Sequence, residues 1–283
     1  MVVALGTMVL GLASGIIGTT IVLEKQSQLG DAIGHSVYPG VIIAFMVFQT
    51  RNSLVLLMGA IIVGFIAFLL IEWIDYNSHF PYESILALVL SSFFSLGLLL
   101  YQVVQNNPTF QTVNFSGLNN YIMGQAAFLT LFDVKVIGVV AFIIMITFYL
   151  LYPKIKLYLF DKTFAASIGI NTRLINYFLL ALSLLTIAIG LQAVGAKLIS
   201  SMLVAPVVAA LQWTNSYPKT IMLSGFVGLL SGFIGTYLST QISNLATGPT
   251  IVIVLSIIAL ISVIIGPNGI LGTRIYSKRG DTL

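Results

Sequence analysis

Long apolar runs recur along the whole chain and constrain its fold more than any other feature. A helix needs about 20 mostly apolar residues to cross the hydrocarbon layer of a membrane. Two of the runs are short, so the sequence predicts an all-α, polytopic transmembrane helix bundle with about 8–9 spans. The nine candidate segments are 2–23, 36–50, 53–74, 84–104, 135–153, 174–194, 197–213, 219–241 and 250–268.

Composition excludes the main alternatives to a membrane protein. Of the 283 residues, 58% are hydrophobic and only 7% are charged, whereas a soluble domain carries about 25% charged residues. The chain could not cover a water-facing surface, which excludes a soluble enzyme, and it is too apolar to be disordered. Cysteine is absent, which removes disulfides, thiolate metal sites and cysteine nucleophiles.

The distribution of basic residues predicts an orientation. If residues 154–173 and the C-terminal tail are cytoplasmic, nine Lys and Arg lie inside and three (Arg51, Lys135 and Lys197) do not. Such an excess is expected on the cytoplasmic side. This frame places the N-terminus outside and makes 105–134, rich in Asn and Gln, an extracellular loop. The net charge of +4 then reflects orientation and does not indicate nucleic acid as a partner.

Asp31 and His35 are the strongest candidates for chemistry. Ionisable groups are costly inside a membrane and are therefore candidates for function. On a helix, side chains four residues apart share one face, and a carboxylate with an imidazole suits Mn, Fe or Zn. Two ligands are too few for a closed site. From the residues alone, a structural hydrogen bond between the two side chains, or a solvated loop, explains the pair at least as well.

Two polar segments stand out, residues 24–40 between the first two spans and residues 152–173. The second segment is basic at both ends. We interpret it as one or two short cytoplasmic helices, and an ordinary inner loop is the alternative. Nucleotide-binding motifs are missing, because the stretch 190–197 only approaches G-x-x-x-x-G-K-[ST] and has Leu198 where Ser or Thr is needed. Active transport would therefore take its energy from a partner protein or from an ion gradient.

Four blocks of the sequence resemble the manganese/zinc/iron ABC permease family, and they occur in the family's order. Residues 15–45 contain GDAIGHSVYPG, which resembles the family's G-D-A-[IL]-S-H-A-V-L-P-G. Residues 160–173 resemble its cytoplasmic segment, and 191–210 and 246–254 resemble two further stretches. The departures are Gly34 for Ser, Tyr38 for Leu, a basic Lys197, and a Val pair after the proline of the third block, which leave the metal preference and the gate open.

The resemblance implies a function and a set of partners. The chain would be one transmembrane permease domain, 1–283, similar to type II ABC importer permeases, in the bacterial cytoplasmic membrane. It would move a divalent Mn, Zn or Fe ion and would be neither an enzyme nor a holder of a permanent cofactor. The implied partners are a cytoplasmic ABC ATPase, an extracellular metal-binding solute-binding protein, a second permease copy or close paralogue, and membrane lipid.

The resemblance also assigns residues. The implied metal ligands are Asp31 and His35. The implied contacts with the ATPase lie in a coupling helix within 154–173 and are Phe160, Asp161, Phe164, Ala165 and Gly169. The candidates for the pathway or its gate are Gln192, Lys197 and Pro206.

Two other classes of transporter stay open at this point. A permease for a metal chelate or cobalamin would need a wider pathway and no metal-binding pair. An ion-coupled secondary carrier would work without an ATPase, and such carriers often contain inverted repeats, of which this chain shows no convincing example. An intramembrane enzyme has no support, because no nucleophile–base set lies within the spans.

Overall fold

The structure is a computed structural model that describes residues 2–50, 52–107, 129–242 and 245–272. The described residues form helices and no strand, which confirms the predicted all-α class. The helices are α1 (Val2–Leu23), α2 (Leu29–Ser36), α3 (Tyr38–Phe48), α4 (Ser53–Asn77), α5 (Tyr82–Asn106), α6 (Leu131–Phe160), α7 (Lys162–Ser167), α8 (Thr172–Ala193), α9 (Ala196–Leu211), α10 (Tyr217–Gln241) and α11 (Thr247–Ile265).

The number of crossings agrees with the sequence. Within the described residues, 8 helical stretches are long and apolar enough to cross a membrane, and α2 with α3 counts as one such stretch, Leu29–Phe48. A shorter apolar helix, Leu198–Leu211, lies within α9. Each predicted segment therefore corresponds to one helix or helix pair, and the predicted 8–9 spans are confirmed.

Side-chain contacts distinguish the two ends of the bundle. Lys162 Nζ lies 3.2 Å from Glu24 Oε1, and we call this the inner end. Gln192 Nε2 lies 3.0 Å from Ser53 Oγ at the opposite, outer end. Residues 108–128 of the predicted extracellular loop lie outside the described residues. The assignment of the inner end to the cytoplasm remains a prediction from the basic residues.

Two predicted boundaries were wrong. The polar segment 24–40 was placed between the first two spans, and the second span was expected to begin at residue 36, but helix α2 begins at Leu29. It is helical because α4, α5, α8 and α9 surround it, and a backbone shielded from water must satisfy its own hydrogen bonds. The fifth span was expected to end at 153, but α6 continues through Pro153 to Phe160, with Ile155 and Tyr158 buried against the bundle.

The most extensive helix contact joins α1 to α10. The two backbones meet where Gly11 lies against Gly228, and a Cβ on either glycine would overlap the carbonyl oxygen of the other. Hydroxyl groups bind across the same contact, because Thr19 Oγ1 lies 2.9 Å from Ser224 Oγ. Small residues and hydroxyl pairs are the usual means of holding helices together in lipid, and they make α1 and α10 one rigid unit.

Replacing Gly228 with valine should therefore destabilise the bundle. The added side chain has no room against the α1 backbone, and we expect a loss of about 1–3 kcal/mol in the free energy of unfolding. Thermal unfolding in detergent measures it. Gly138→Ala in α6 is the matched control, because a Cβ there meets nothing within 4 Å. Equal unfolding temperatures for Gly228→Val and the unchanged chain would contradict this packing argument.

Candidate functional site

Helix α2 brings Asp31 and His35 together as predicted. His35 Nε2 lies 3.6 Å from Asp31 Oδ1, and the imidazole side chain is 10% exposed while the carboxylate side chain is 48% exposed. The remaining residues of α2 are buried. The pair therefore presents one partly accessible carboxylate on an otherwise enclosed helix, with the imidazole behind it.

The pair lies well inside the bundle. The His35 ring packs edge-on against Phe94 of α5, with 4.9 Å between the ring centroids. Phe94 is twelve residues beyond Tyr82, where α5 begins, and α5 has 25 residues. At 1.5 Å per residue, the contact lies about 18 Å along a helix of about 37 Å. His35 is thus near the middle of the spanning region.

Helix α2, which carries the pair, has a defined end and a close neighbour. It breaks at Val37, because Pro39 has no N–H to donate to the helical ladder. On another side α9 approaches closely, since a Cβ on Gly34 would lie 3.3 Å from the carbonyl oxygen of Ala196. A larger residue than glycine at position 34 would therefore press on the first turn of α9.

Asp31 and His35 do not belong to a larger cluster of metal-binding side chains in the described part of the chain. Among the residues that the structure describes, no three His, Cys, Asp or Glu side chains are grouped so that they could hold one metal ion. As metal ligands, Asp31 and His35 would supply two of the four or more that a transition metal takes. The others must come from neutral oxygen groups, water or another chain.

The predicted gate residues lie at different levels of the bundle. Gln192 is at the outer end, where its amide donates to Ser53. Lys197 is in the first turn of α9, and its side chain lies outside the described residues. Pro206 is buried further along α9. Their role in the pathway remains a prediction.

Sequence reasoning missed an outer cluster around Asp133. Asp133 is buried and caps its own helix, because its Oδ2 accepts from the Thr130 backbone N–H at 2.8 Å and from the Thr130 hydroxyl at 2.7 Å. Its Oδ1 accepts from the Ser53 hydroxyl, which in turn accepts from Gln192. The cluster joins the outer ends of α4, α6 and α8. The T-x-x-D spacing is the one sequence signal that could have indicated it.

The predicted coupling segment forms the short helix α7 at the inner end. Asp161 caps it, because its carboxylate accepts from the Phe164 backbone N–H at 2.8 Å and from the Thr163 hydroxyl at 2.6 Å. These two hydrogen bonds lower the pKa of Asp161 below its ordinary value. Phe160 is 67% exposed and Phe164 is 50% exposed, whereas Ala165 is fully buried. The segment therefore offers two aromatic rings to a partner.

Gly169 ends this segment for a backbone reason. Its φ is +84°, in the left-handed region that other residues avoid. Its N–H donates to Ala166 O at 3.1 Å, and the next N–H, of Ile170, donates to Ala165 O at 3.0 Å. This is the glycine-terminated helix end known as the Schellman motif. A Cβ at position 169 meets nothing within 4 Å, so glycine is required by conformation and not by space.

Sequence reasoning also missed an inner cluster around Lys162. The ammonium group lies 3.2 Å from Glu24 Oε1 and 4.5 Å from the centre of the Tyr158 ring. Partial burial lowers the pKa of Lys162, but the contacts with Tyr158 and Glu24 outweigh this and hold the pKa above its ordinary value. The ammonium therefore stays charged at neutral pH. Glu24 is far from Tyr158 and Lys162 in the sequence, so no spacing links it to them.

Comparison with known proteins identifies the family of this chain. The sequence matches the family described as the ABC 3 transport family over residues 1–266. The chain belongs to the ABC-3 transport family. As an ABC-3 protein it is a multi-pass membrane permease subunit of an ABC transporter and not the subunit that hydrolyses ATP. It works with an ATPase and other transporter components, as was predicted in outline.

Relatives and a solved structure support this assignment over the whole ABC-3 chain. It is 38% identical to the zinc transport system membrane protein TroC of Treponema pallidum (strain Nichols), over 99% of this chain and 93% of that protein. It is 34% identical to the manganese transport system membrane protein MntC of Bacillus subtilis (strain 168), over 93% of this chain and 60% of that protein. The solved structure of PsaBC from Streptococcus pneumoniae in complex with Fab is similar with a TM-score of 0.83 and 26% identity, over 98% of this chain and 94% of that one.

The end of α7 in this ABC-3 permease allows a direct test of the Gly169 turn. A residue with a Cβ costs about 1–2 kcal/mol in the left-handed conformation, so Gly169→Ala should loosen the last turn of α7. Gly169→Asn is the control, because asparagine tolerates that conformation better. Amide hydrogen exchange over residues 162–170 should be faster for alanine and near the original rate for asparagine. Exchange that rises equally in both variants would contradict the turn assignment.

Proposed function

We propose that this chain is the permease that conducts a divalent transition metal ion, Mn, Zn or Fe, through an ABC importer. The observation that carries the proposal is the pairing of Asp31 with His35 near the middle of the spanning region, at 3.6 Å. Relatives named for zinc and manganese transport support the same class of cargo. The metal is a substrate in transit and not a resident cofactor.

The physical task is to carry a dication through a layer of low dielectric constant. Removing its water without replacement is prohibitive, so polar groups must take the place of hydration water near the midline. The Asp31 carboxylate, 48% exposed, offsets part of the charge. The neutral imidazole of His35 adds a nitrogen ligand, which suits Mn, Zn and Fe better than Ca or Mg.

A second permease copy would complete the pathway. One chain contributes two ligands and leaves the Asp31 carboxylate partly uncovered, which is costly in lipid. A homodimer, or a pair with a close paralogue, would cover this face and enclose the ion between two chains. ATP-driven closure of the cytoplasmic ATPases would then open the enclosed site to one side at a time, and an extracellular solute-binding protein would deliver the metal.

Neutralising the pair tests the proposed cargo. We expect Asp31→Asn or His35→Ala to lower radiolabelled Mn or Zn accumulation in cells by about tenfold or more, with the protein still inserted at its usual level. The chain has two histidines, and the exposed one, His79, gives the matched control His79→Ala. Asp75→Asn, also exposed, is the control for the carboxylate.

The same assay separates the proposed function from its alternatives. Metal uptake unchanged in both Asp31→Asn and His35→Ala would overturn the metal-pathway assignment and leave a chelate permease. Uptake that persists without the ATPase and stops when the ion gradient is collapsed would indicate a secondary carrier.

The exposed rings at the inner end are the proposed ATPase contact. Phe160 and Phe164 are exposed beside a capped helix, and buried aromatic anchors dominate many protein interfaces. We expect Phe164→Ser to weaken co-purification of the ATPase by about tenfold. Phe80→Ser is the control, because Phe80 is an exposed phenylalanine in the α4–α5 connection at the same end. Equal loss in both variants would contradict a specific role for Phe164.

A further inference from the structure

The Glu24 side chain is a buried carboxylate at the inner end of the bundle. It is 6% exposed and lies 3.2 Å from Lys162 Nζ. Glu24 directly follows α1, and Lys162 is the first residue of α7. The ion pair therefore joins the segment proposed to bind the ATPase to the connection that leads into α2, the helix of Asp31 and His35.

The connection between α1 and α2 is short and hydrogen-bonded. Lys25 takes a left-handed conformation, with φ 62°, and the Gln26 N–H donates to Ile21 O at 3.0 Å. The Leu29 N–H donates to Gln26 O at 2.8 Å, which attaches the start of α2 to the same turn. Glu24 and the first turn of α2 are therefore joined through one short hydrogen-bonded turn.

Because Glu24 is buried, separating its carboxylate from Lys162 is energetically unfavourable. A buried carboxylate that loses its counter-charge is strongly unfavourable, so Glu24 must follow Lys162 or remain uncompensated. Other groups also contact the lysine, but they serve a different element, because the Tyr158 ring at 4.5 Å belongs to α6. The ion pair is the contact that leads toward the metal-binding pair.

We propose that the Lys162–Glu24 ion pair transmits the movement of α7 to α2 and so couples ATP hydrolysis to the metal pathway. Both are positioning residues, since they act on Asp31 and His35 through the α1–α2 turn. The proposal rests on the proposed function. It adds a defined route from the ATPase contact to the metal ligands.

Transport stoichiometry tests the route. The full transporter, reconstituted in liposomes with its ATPase, would be assayed for Mn uptake and for ATP hydrolysis in the same sample. We expect Lys162→Gln and Glu24→Gln each to lower the metal moved per ATP by about tenfold, while hydrolysis continues. The charge-swapped double variant, Glu24→Lys with Lys162→Glu, should return the ratio to within about threefold of the original, as coupled residues do. Lys219→Gln removes an exposed lysine of α10, outside the segment 154–173, and should change nothing.

The outcomes separate this proposal from the proposed function. If the unchanged transporter moves no metal on ATP hydrolysis, the proposed function fails first. If it does, and both single variants keep the original metal-to-ATP ratio, the ion pair does not couple the two sites. A double variant no better than the single variants would also overturn the proposal.

A distance measurement serves where a single variant inserts poorly or loses hydrolysis. The chain has no cysteine, so Ser27→Cys in the α1–α2 turn and Ser167→Cys at the end of α7 can carry spin labels in the full complex. With the ion pair intact, nucleotide trapping should leave the label distance nearly unchanged, because the two elements move together. In the Lys162→Arg chain, which keeps the charge, the distance should stay constant, and in Lys162→Gln it should change. The same response in both chains would overturn the proposal.

Discussion

The cost of holding charge away from water shapes every functional feature of this permease. Two of its buried carboxylates have partners from other parts of the chain, because Asp133 accepts a hydrogen bond from Ser53 at the outer end and Glu24 forms an ion pair with Lys162 at the inner end. Asp31 differs, since it pairs with the imidazole of His35 in its own helix and nearly half of its side chain is exposed. A carboxylate left in this condition near the midline retains the capacity to bind a passing cation.

The bundle contains a tightly packed helix pair, α1 with α10, and a short helix, α2, with a clear boundary at each end. Helices α1 and α10 are held together at Gly11 and Gly228, where the backbones touch. Helix α2 lies between a hydrogen-bonded turn on its inner side and the break at Val37 on its outer side. Alternating access needs an element that moves as a unit against a fixed neighbour. The eight residues of α2, which carry Asp31 and His35, have that form.

Sequence reasoning recovered the crossings and the proximity of Asp31 to His35, and the reasons are physical. Bilayer thickness sets span length, so apolar runs show where the helices are, and four-residue spacing places Asp31 beside His35. It failed to include Leu29–Ser36 in the second span, because a polar stretch resembles a connection when the surrounding helices are unknown. The Glu24–Lys162 contact was also beyond reach, since it depends on the folding of α7 against the end of α1.

The short helix α7 contacts the bundle on one side and is exposed on the other, because its residues point in different directions. Successive residues on a helix are rotated by about 100°, so residues two apart lie on opposite sides. Phe164 therefore faces away when Lys162 faces Glu24, which agrees with the exposure of the ring and with the ion pair. An ATPase that binds Phe160 and Phe164, as proposed above, would therefore contact a helix whose opposite side forms an ion pair with the buried carboxylate of Glu24. This six-residue element, capped by Asp161 and ended by Gly169, is long enough to carry both the ion pair and the exposed ring.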